Sequence, residues 1–127
     1  MFEKFNTQQQ GNVGVGKAIS HFTQVGSTIS IPLNDTQDYD LIVDYNDSLK
    51  KIQVKTVYSK NPYNNYVVEL RTRTHMKGKL YSTKGLGDID YLFILTNTGD
   101  EYLIPNNDIQ TKTSLTLYNK YDKYKII

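Results

Sequence analysis

Two alternating segments flanking a short polar break constrain this chain more than any other feature. Tyr39-Asp40-Leu41-Ile42-Val43-Asp44-Tyr45 and Leu49-Lys50-Lys51-Ile52-Gln53-Val54-Lys55-Thr56-Val57-Tyr58 lie on either side of Asn46-Asp47-Ser48. Apolar residues at every second position, bounded by turn formers, are the pattern of a β-hairpin. Strand side chains alternate between faces, so Asp40, Ile42 and Asp44 share one face of the first strand, and Lys51, Gln53 and Lys55 one face of the second. The two polar sets meet if the turn has an even number of residues. With Asp47-Ser48 as the turn, Ile42 faces Gln53 and Asp40 faces Lys55; an odd turn separates them.

The rest of the chain supplies elements around that hairpin. Ala18, Ile19, Phe22 and Val25 recur at helical spacing before Gly26, which predicts a helix over residues 12–25. Thr28 to Pro32 reads as a short strand and Tyr66 to Leu70 as a longer one. Residues 71–88, with Gly78, Gly85 and Gly87 among Lys and Thr, read as a long mobile loop in which Gly85-Leu86-Gly87 is a hinge. Tyr91 to Leu95 and Glu101 to Ile104 form a second hairpin around Asn97-Thr98-Gly99-Asp100. The tail from Thr113 ends in a short helix, with Tyr118, Tyr121 and Tyr124 packing on the sheet. At 127 residues, without repeats or a linker-like stretch, the expectation is one domain spanning 1–127.

The formal net charge of +2 is too mild to announce a polyanion partner, but its distribution is uneven. Residues 49–84 hold nine basic side chains and one acidic, whereas acidic residues outnumber basic ones on either side. The absence of Cys excludes a disulfide framework and a thiolate zinc site. The N-terminal Met1-Phe2-Glu3-Lys4-Phe5 has no apolar leader, and no apolar run approaches a membrane span. The expectation is a soluble, cytoplasmic protein with no membrane partner.

A carboxylate, an amide oxygen and an ammonium converging beside a cationic segment form an apparatus for phosphodiester hydrolysis with a hard divalent cation. Asp40 supplies the anionic oxygen that Mg²⁺ prefers, with Mn²⁺ as the alternative ion, and Gln53 a neutral carbonyl oxygen in the same shell. Lys55 positions the attacking water or neutralises developing negative charge.

Tyr39-Asp40-Leu41-Ile42-Val43-Asp44, with Gln53-Val54-Lys55 thirteen residues after Asp40, resembles the core of the PD-(D/E)-x-K nuclease superfamily, in particular the group I intron-associated homing endonucleases with a Gln-x-Lys motif. Gly11-Asn12-Val13-Gly14 followed by Ala18 is similar to the opening helix of that branch, and Asp90-Tyr91-Leu92-Phe93 with Tyr102-Leu103-Ile104-Pro105 to its later hairpin. The resemblance implies an α/β restriction-endonuclease-like core, a mixed central β-sheet flanked by helices, with Mg²⁺ use and duplex DNA as substrate. It also implies a homodimer or homotetramer, which two sites across two strands require. An intracellular protein encoded by a phage or mobile element fits the same resemblance.

The chain departs from that pattern at one position. Relatives carry a Gly-Glu pair in the opening helix, and the matching residues are Gly14 and Val15. Asp44 is a substitute if its strand bends. Two further readings follow: a nuclease fold that retains DNA or protein binding without cleavage, and a Holliday-junction-resolvase-like enzyme. For DNA binding the expected contacts are Lys51, Lys60, Arg71, Arg73, Lys77, Lys79 and Lys84, with Arg71 and Arg73 on one strand face as candidates for base edges. His21 and His75 receive no role.

Overall fold

The computed structural model of the chain describes residues 1–34, 36–71, 73–82 and 85–126, the segments 73–76 and 80–82 by their backbone. Helix α1 spans Thr7–Gln24, starting five residues before the expected position. Its start is fixed by a capping box: Asn6 Oδ1 accepts from the Gln9 N–H at 2.8 Å, and Gln9 Oε1 accepts from the Asn6 N–H at 2.9 Å. Gly26, with φ 86°, follows its last turn, where the sequence placed the stop. Gly14, Ala18 and Phe22, one helical face, are buried.

The expected hairpin is present as β2 (Leu41–Tyr45) and β3 (Ser48–Val57). The short β1 (Ile29–Ser30) pairs antiparallel with β2, covering less than the expected 28–32. The second hairpin, β7 (Tyr91–Thr96) and β8 (Glu101–Pro105), joins the same sheet, with β7 running parallel to β3. The result is a five-stranded mixed sheet in the order β1-β2-β3-β7-β8, as the α/β expectation requires.

The crossover from β3 to β7 holds three more strands. The stretch expected as a loop from 71 to 88 contains a hairpin, β5 (Arg73–Met76) and β6 (Lys79–Ser82), closed by Lys77 and Gly78 at φ 52° and 78°. Two successive positive φ values are those of a type I′ turn. The remaining strand, β4 (Val67–Glu69), leaves the main sheet and pairs antiparallel with β9 (Ser114–Thr116), a strand too short for the sequence pattern to mark. The C-terminal helix is a 3₁₀ segment, Asn119–Tyr124, in which Tyr121 is buried. No helix among the described residues is long and apolar enough to cross a membrane.

Apolar side chains gather on both faces of the sheet. On one, Ala18 and Phe22 of α1 pack with Leu41, Val43, Ile52, Val54, Phe93 and Leu95. On the other, Val57, Leu92, Ile94 and Ile104 lie with Val68, Leu115, Leu117 and Tyr121 of the β4–β9 ribbon and the 3₁₀ segment. Among the described residues a single α-helix therefore flanks one face, while a small β-ribbon takes the place of a helix on the other. Helix α1 approaches β3 so closely at Gly14 that an added Cβ meets Thr56 Cγ2 at 2.5 Å and Val54 Cγ1 at 3.2 Å.

Gly16, two residues on, would meet nothing within 4 Å. Gly16→Ala is therefore expected to stabilise the fold by up to about 1 kcal/mol through helix propensity. Gly14→Ala is expected to cost about 1–3 kcal/mol of overpacking against a β-branched neighbour, a net loss. Chemical denaturation of both variants checks the sign of each; equal midpoints would mean that α1 does not rest on β3 as described.

Candidate active site

The observed hairpin register brings the polar residues together one step away from the expected pairing. Asn46 and Asp47 form the turn, with φ 53° and 65°. The left-handed conformation is one that Asn and Asp tolerate better than Ser, which displaces the turn from the expected Asp47-Ser48 by one residue. Leu41 then faces Ile52 and Ile42 faces Lys51, instead of Ile42 facing Gln53. Because the turn still has two residues, the face assignment is unchanged, and Asp40 comes level with Gln53 rather than Lys55.

The Asp40 main-chain N–H donates to Ile52 O at 2.8 Å, anchoring the residue at the mouth of β2. Its carboxylate Oδ2 accepts the Val54 N–H at 2.8 Å and the Gln53 side-chain amide at 3.1 Å. Gln53 Nε2 also lies 3.4 Å from Val54 O. Gln53 and Lys55 stand on β3 opposite in face to Ile52 and Val54, with Leu92 and Ile94 of β7 as their register partners. This sheet face is thus divided: apolar and covered towards β8, polar and partly open over β2 and the middle of β3.

The electrostatics reflect that half-buried position. Burial pushes the Asp40 carboxyl above the ordinary carboxylate range, opposed by the Val54 N–H and the Lys55 ammonium. Burial likewise lowers the Lys55 ammonium below its usual range, opposed by the negative charges of Asp40 and Glu69. Desolvation outweighs the mutual attraction for both groups, so Asp40 lacks enough neighbouring positive charge to offset its burial.

A hard divalent cation at Asp40 would supply that charge. Both described hydrogen bonds to the carboxylate land on Oδ2, so Oδ1 accepts none among the described residues. Gln53 turns its amide N–H to Asp40 Oδ2, so Asp40 Oδ1 and the remaining carbonyl oxygen of Gln53 are the donors such an ion would have, a sparse set. Among the described residues no three His, Cys, Asp or Glu side chains are grouped to hold a metal. Val15 does not supply the acid that the resemblance leads one to expect. It packs against the α1-side core, on the sheet face opposite Gln53 and Lys55, and helix α1 has no acidic residue in its first turn. Asp44 faces Leu49 next to the turn, four residues along β2 from Asp40.

The sequence profile of the PD-(D/E)XK endonuclease family matches residues 5–125, nearly the whole chain. The chain belongs to the PD-(D/E)XK endonuclease family. Among solved structures, that of I-Ssp6803I, a bacterial homing endonuclease, has the same fold, with a TM-score of 0.76 at 24% identity over 90% of this chain and 79% of that one. No curated protein sequence matches the chain. The family and the mixed sheet together give this nuclease-family member its restriction-endonuclease-like architecture. PD-(D/E)XK nucleases in general use divalent metal ions.

The basic residues singled out from the sequence divide into distinct environments. Lys51 is held by Asp88 at 2.7 Å and lies over the Tyr39 ring. Arg71 is bound through Nε to Glu69 Oε1 at 2.6 Å and does not share a strand with Arg73, which lies in β5. Lys60 lies over the Tyr66 ring, beyond the far end of β3. Lys77 and Lys79 are exposed at the tip of the β5–β6 hairpin. Lys84 lies outside the described residues. Sequence reasoning missed Glu69 as a charge felt by Lys55, because no local motif links β4 to the hairpin.

The raised pKa of Asp40 has a stability consequence with a definite sign. The unfolded chain loses its proton near the ordinary carboxylate pKa while the folded chain holds it to higher pH. Stability contributed by this group is therefore full at low pH and lost as pH rises through the folded-state pKa. Asp40→Asn, which can keep an acceptor for the Val54 N–H, is expected to raise Tm at pH 8 without added metal and to leave it nearly unchanged at pH 3. Thermal melts at the two pH values decide it; equal shifts at both would mean that charge burial at Asp40 is not the cause.

Proposed function

We propose that the chain is a Mg²⁺-dependent endonuclease hydrolysing phosphodiester bonds of double-stranded DNA, with Asp40, Gln53 and Lys55 as its site and Mn²⁺ as an alternative ion. The observation that carries this reading is that those three groups share the polar part of one sheet face, with the Asp40 carboxylate buried beyond the compensation its neighbours give. A half-buried carboxylate short of compensating charge is one that a bound cation would stabilise.

Asp40 and Gln53 would hold the ion, which when bound lowers the pKa of a coordinated water and draws charge from the scissile phosphate. Lys55, projecting from the same strand two residues beyond Gln53, donates hydrogen bonds to the phosphate and neutralises the charge that develops as water attacks phosphorus and the ester oxygen departs. The Val54 N–H keeps the Asp40 carboxylate in place, so its orientation does not depend on substrate.

The β5–β6 hairpin supports the DNA reading. A two-stranded ribbon fits the B-DNA major groove, and the exposed tip residues Lys77 and Lys79 would then meet phosphates at the groove edge. A single chain of this size covers little duplex, so the proposal includes a homodimer or homotetramer that sets two sites across the strands. A second reading, DNA binding without cleavage, is favoured by one observation: among the described residues no further His, Cys, Asp or Glu side chains are grouped with Asp40 to hold a metal.

Plasmid and branched-DNA cleavage with Mg²⁺ or Mn²⁺ separates the readings. Cutting by the parent is expected to fall at least about a hundredfold in Asp40→Ala and Lys55→Ala, with duplex affinity kept. It is also expected to decline on acidification at a pH above the ordinary carboxylate range, because Asp40 must be ionised to hold the cation. Retained duplex binding with no metal-dependent cutting would establish the binding-only reading.

A further inference from the structure

Beside the site lies a groove of about 450 Å³, within the range of roughly 300–1,000 Å³ seen for small-ligand pockets. Asp38 forms one end, two residues before Asp40 and so within about 7 Å along an extended chain. Leu86 and Ile109, both packed against the core beneath, form an apolar wall, while Asn106, Thr111 and Lys112 add polar groups to the lining.

The groove is built by two close approaches that only glycine permits. A Cβ on Gly87 would stand 1.9 Å from Asp38 Oδ2, and one on Gly85 would stand 2.5 Å from the Lys112 carbonyl oxygen. The Asp88 N–H further donates to Asp38 Oδ2 at 3.2 Å. Gly85-Leu86-Gly87, which reads as a hinge in the sequence, is thus packed between Asp38 and Lys112 as part of the groove. The cations differ in availability. Lys51 is tied to Asp88 and Arg71 to Glu69, whereas Lys112 is exposed and forms no ion pair among the described residues.

We infer that this groove receives one nucleotide of the DNA strand next to the cleaved bond, its phosphate on Lys112 and its sugar and base against Leu86 and Ile109. The inference rests on the nuclease reading of the Asp40 site and adds to it residues from the chain's C-terminal third. The orientation follows from charge: Asp38, the lining residue nearest Asp40 in the chain, repels a phosphate and accepts from a base amino group, while Lys112 attracts the phosphate. Asn106 and Thr111 provide the remaining donors and acceptors along the nucleotide edge.

The test is duplex binding by fluorescence anisotropy across a salt series without metal, for the parent, Lys112→Ala and Thr111→Trp, with Mn²⁺ binding followed by calorimetry. Both altered side chains are exposed, so a thermal melt suffices to check folding. Lys112→Ala is expected to weaken binding roughly tenfold at 0.1 M salt and to lower the slope of log affinity against log salt by about one. Thr111→Trp, which fills the groove, is expected to reduce affinity and cleavage while leaving Mn²⁺ binding at the Asp40 site unchanged. Parent-like affinity and slope in both variants would overturn the groove alone. A parent with no salt-dependent duplex binding would overturn the DNA reading and this inference with it.

Discussion

Everything at the candidate site depends on the hydrogen bond from the Val54 N–H to the Asp40 carboxylate. Beyond the end of β2, the N–H of Val54 is satisfied by that side chain, and the 2.8 Å contact fixes Asp40 beside Gln53. The same peptide joins the two halves of the molecule. Val54 points its side chain into the core under α1, while its neighbours Gln53 and Lys55 point into the partly open polar face. Strand β3 carries stability on one side and chemistry on the other, and the strict alternation of strand side chains keeps the two apart.

Much of this was legible in the sequence, for reasons of unequal strength. The period-two pattern of 39–45 and 49–58 is long, and the parity argument needs only an even turn, so the shared face of Asp40, Gln53 and Lys55 survived an error of register. That error came from the turn residues: Asn46 enters the left-handed region more readily than Ser48, and one residue of displacement alters every pair without changing any face. The start of α1 was read too late because Gly11, Gly14 and Gly16 weigh against helix. Yet Asn6 followed three residues later by Gln9 is a capping signature that was present to be found. Strand β4 lies within the expected 66–70, but β5, β6 and β9 span three or four residues each, too few for any periodicity to mark. Their existence is a tertiary matter.

The cationic segment shows how little a charge count says about individual residues. Of the basic residues between 49 and 84, Lys51 and Arg71 are engaged with acids of their own chain, and Lys60 lies over a ring, whereas Lys77 and Lys79 face solvent. Surface ion pairs of this kind are worth little in stability, but each sets where a cation stands and what it must give up to meet a phosphate. At the site itself the burial of Asp40 is opposed mainly by one main-chain N–H and one lysine.

The crossover between β3 and β7 leaves and returns through pinned points. The Asp90 N–H donates to Lys51 O and the Lys51 N–H to Asp90 Oδ2 at the entry to β7, and at the other end the Asn97 N–H donates to Val57 O. Between them runs the segment that bears β4 and the β5–β6 hairpin. Closing a chain between fixed ends becomes only slowly costlier with length, about 0.6 kcal/mol for each doubling. Within that segment β4 is held in the core by Val68, so changes of length around the β5–β6 hairpin that leave β4 in place put little strain on the strands that hold Gln53 and Lys55. The fold therefore separates what is slow to change, the paired strands and their chemistry, from a hairpin in which new contacts can be tried at small thermodynamic risk.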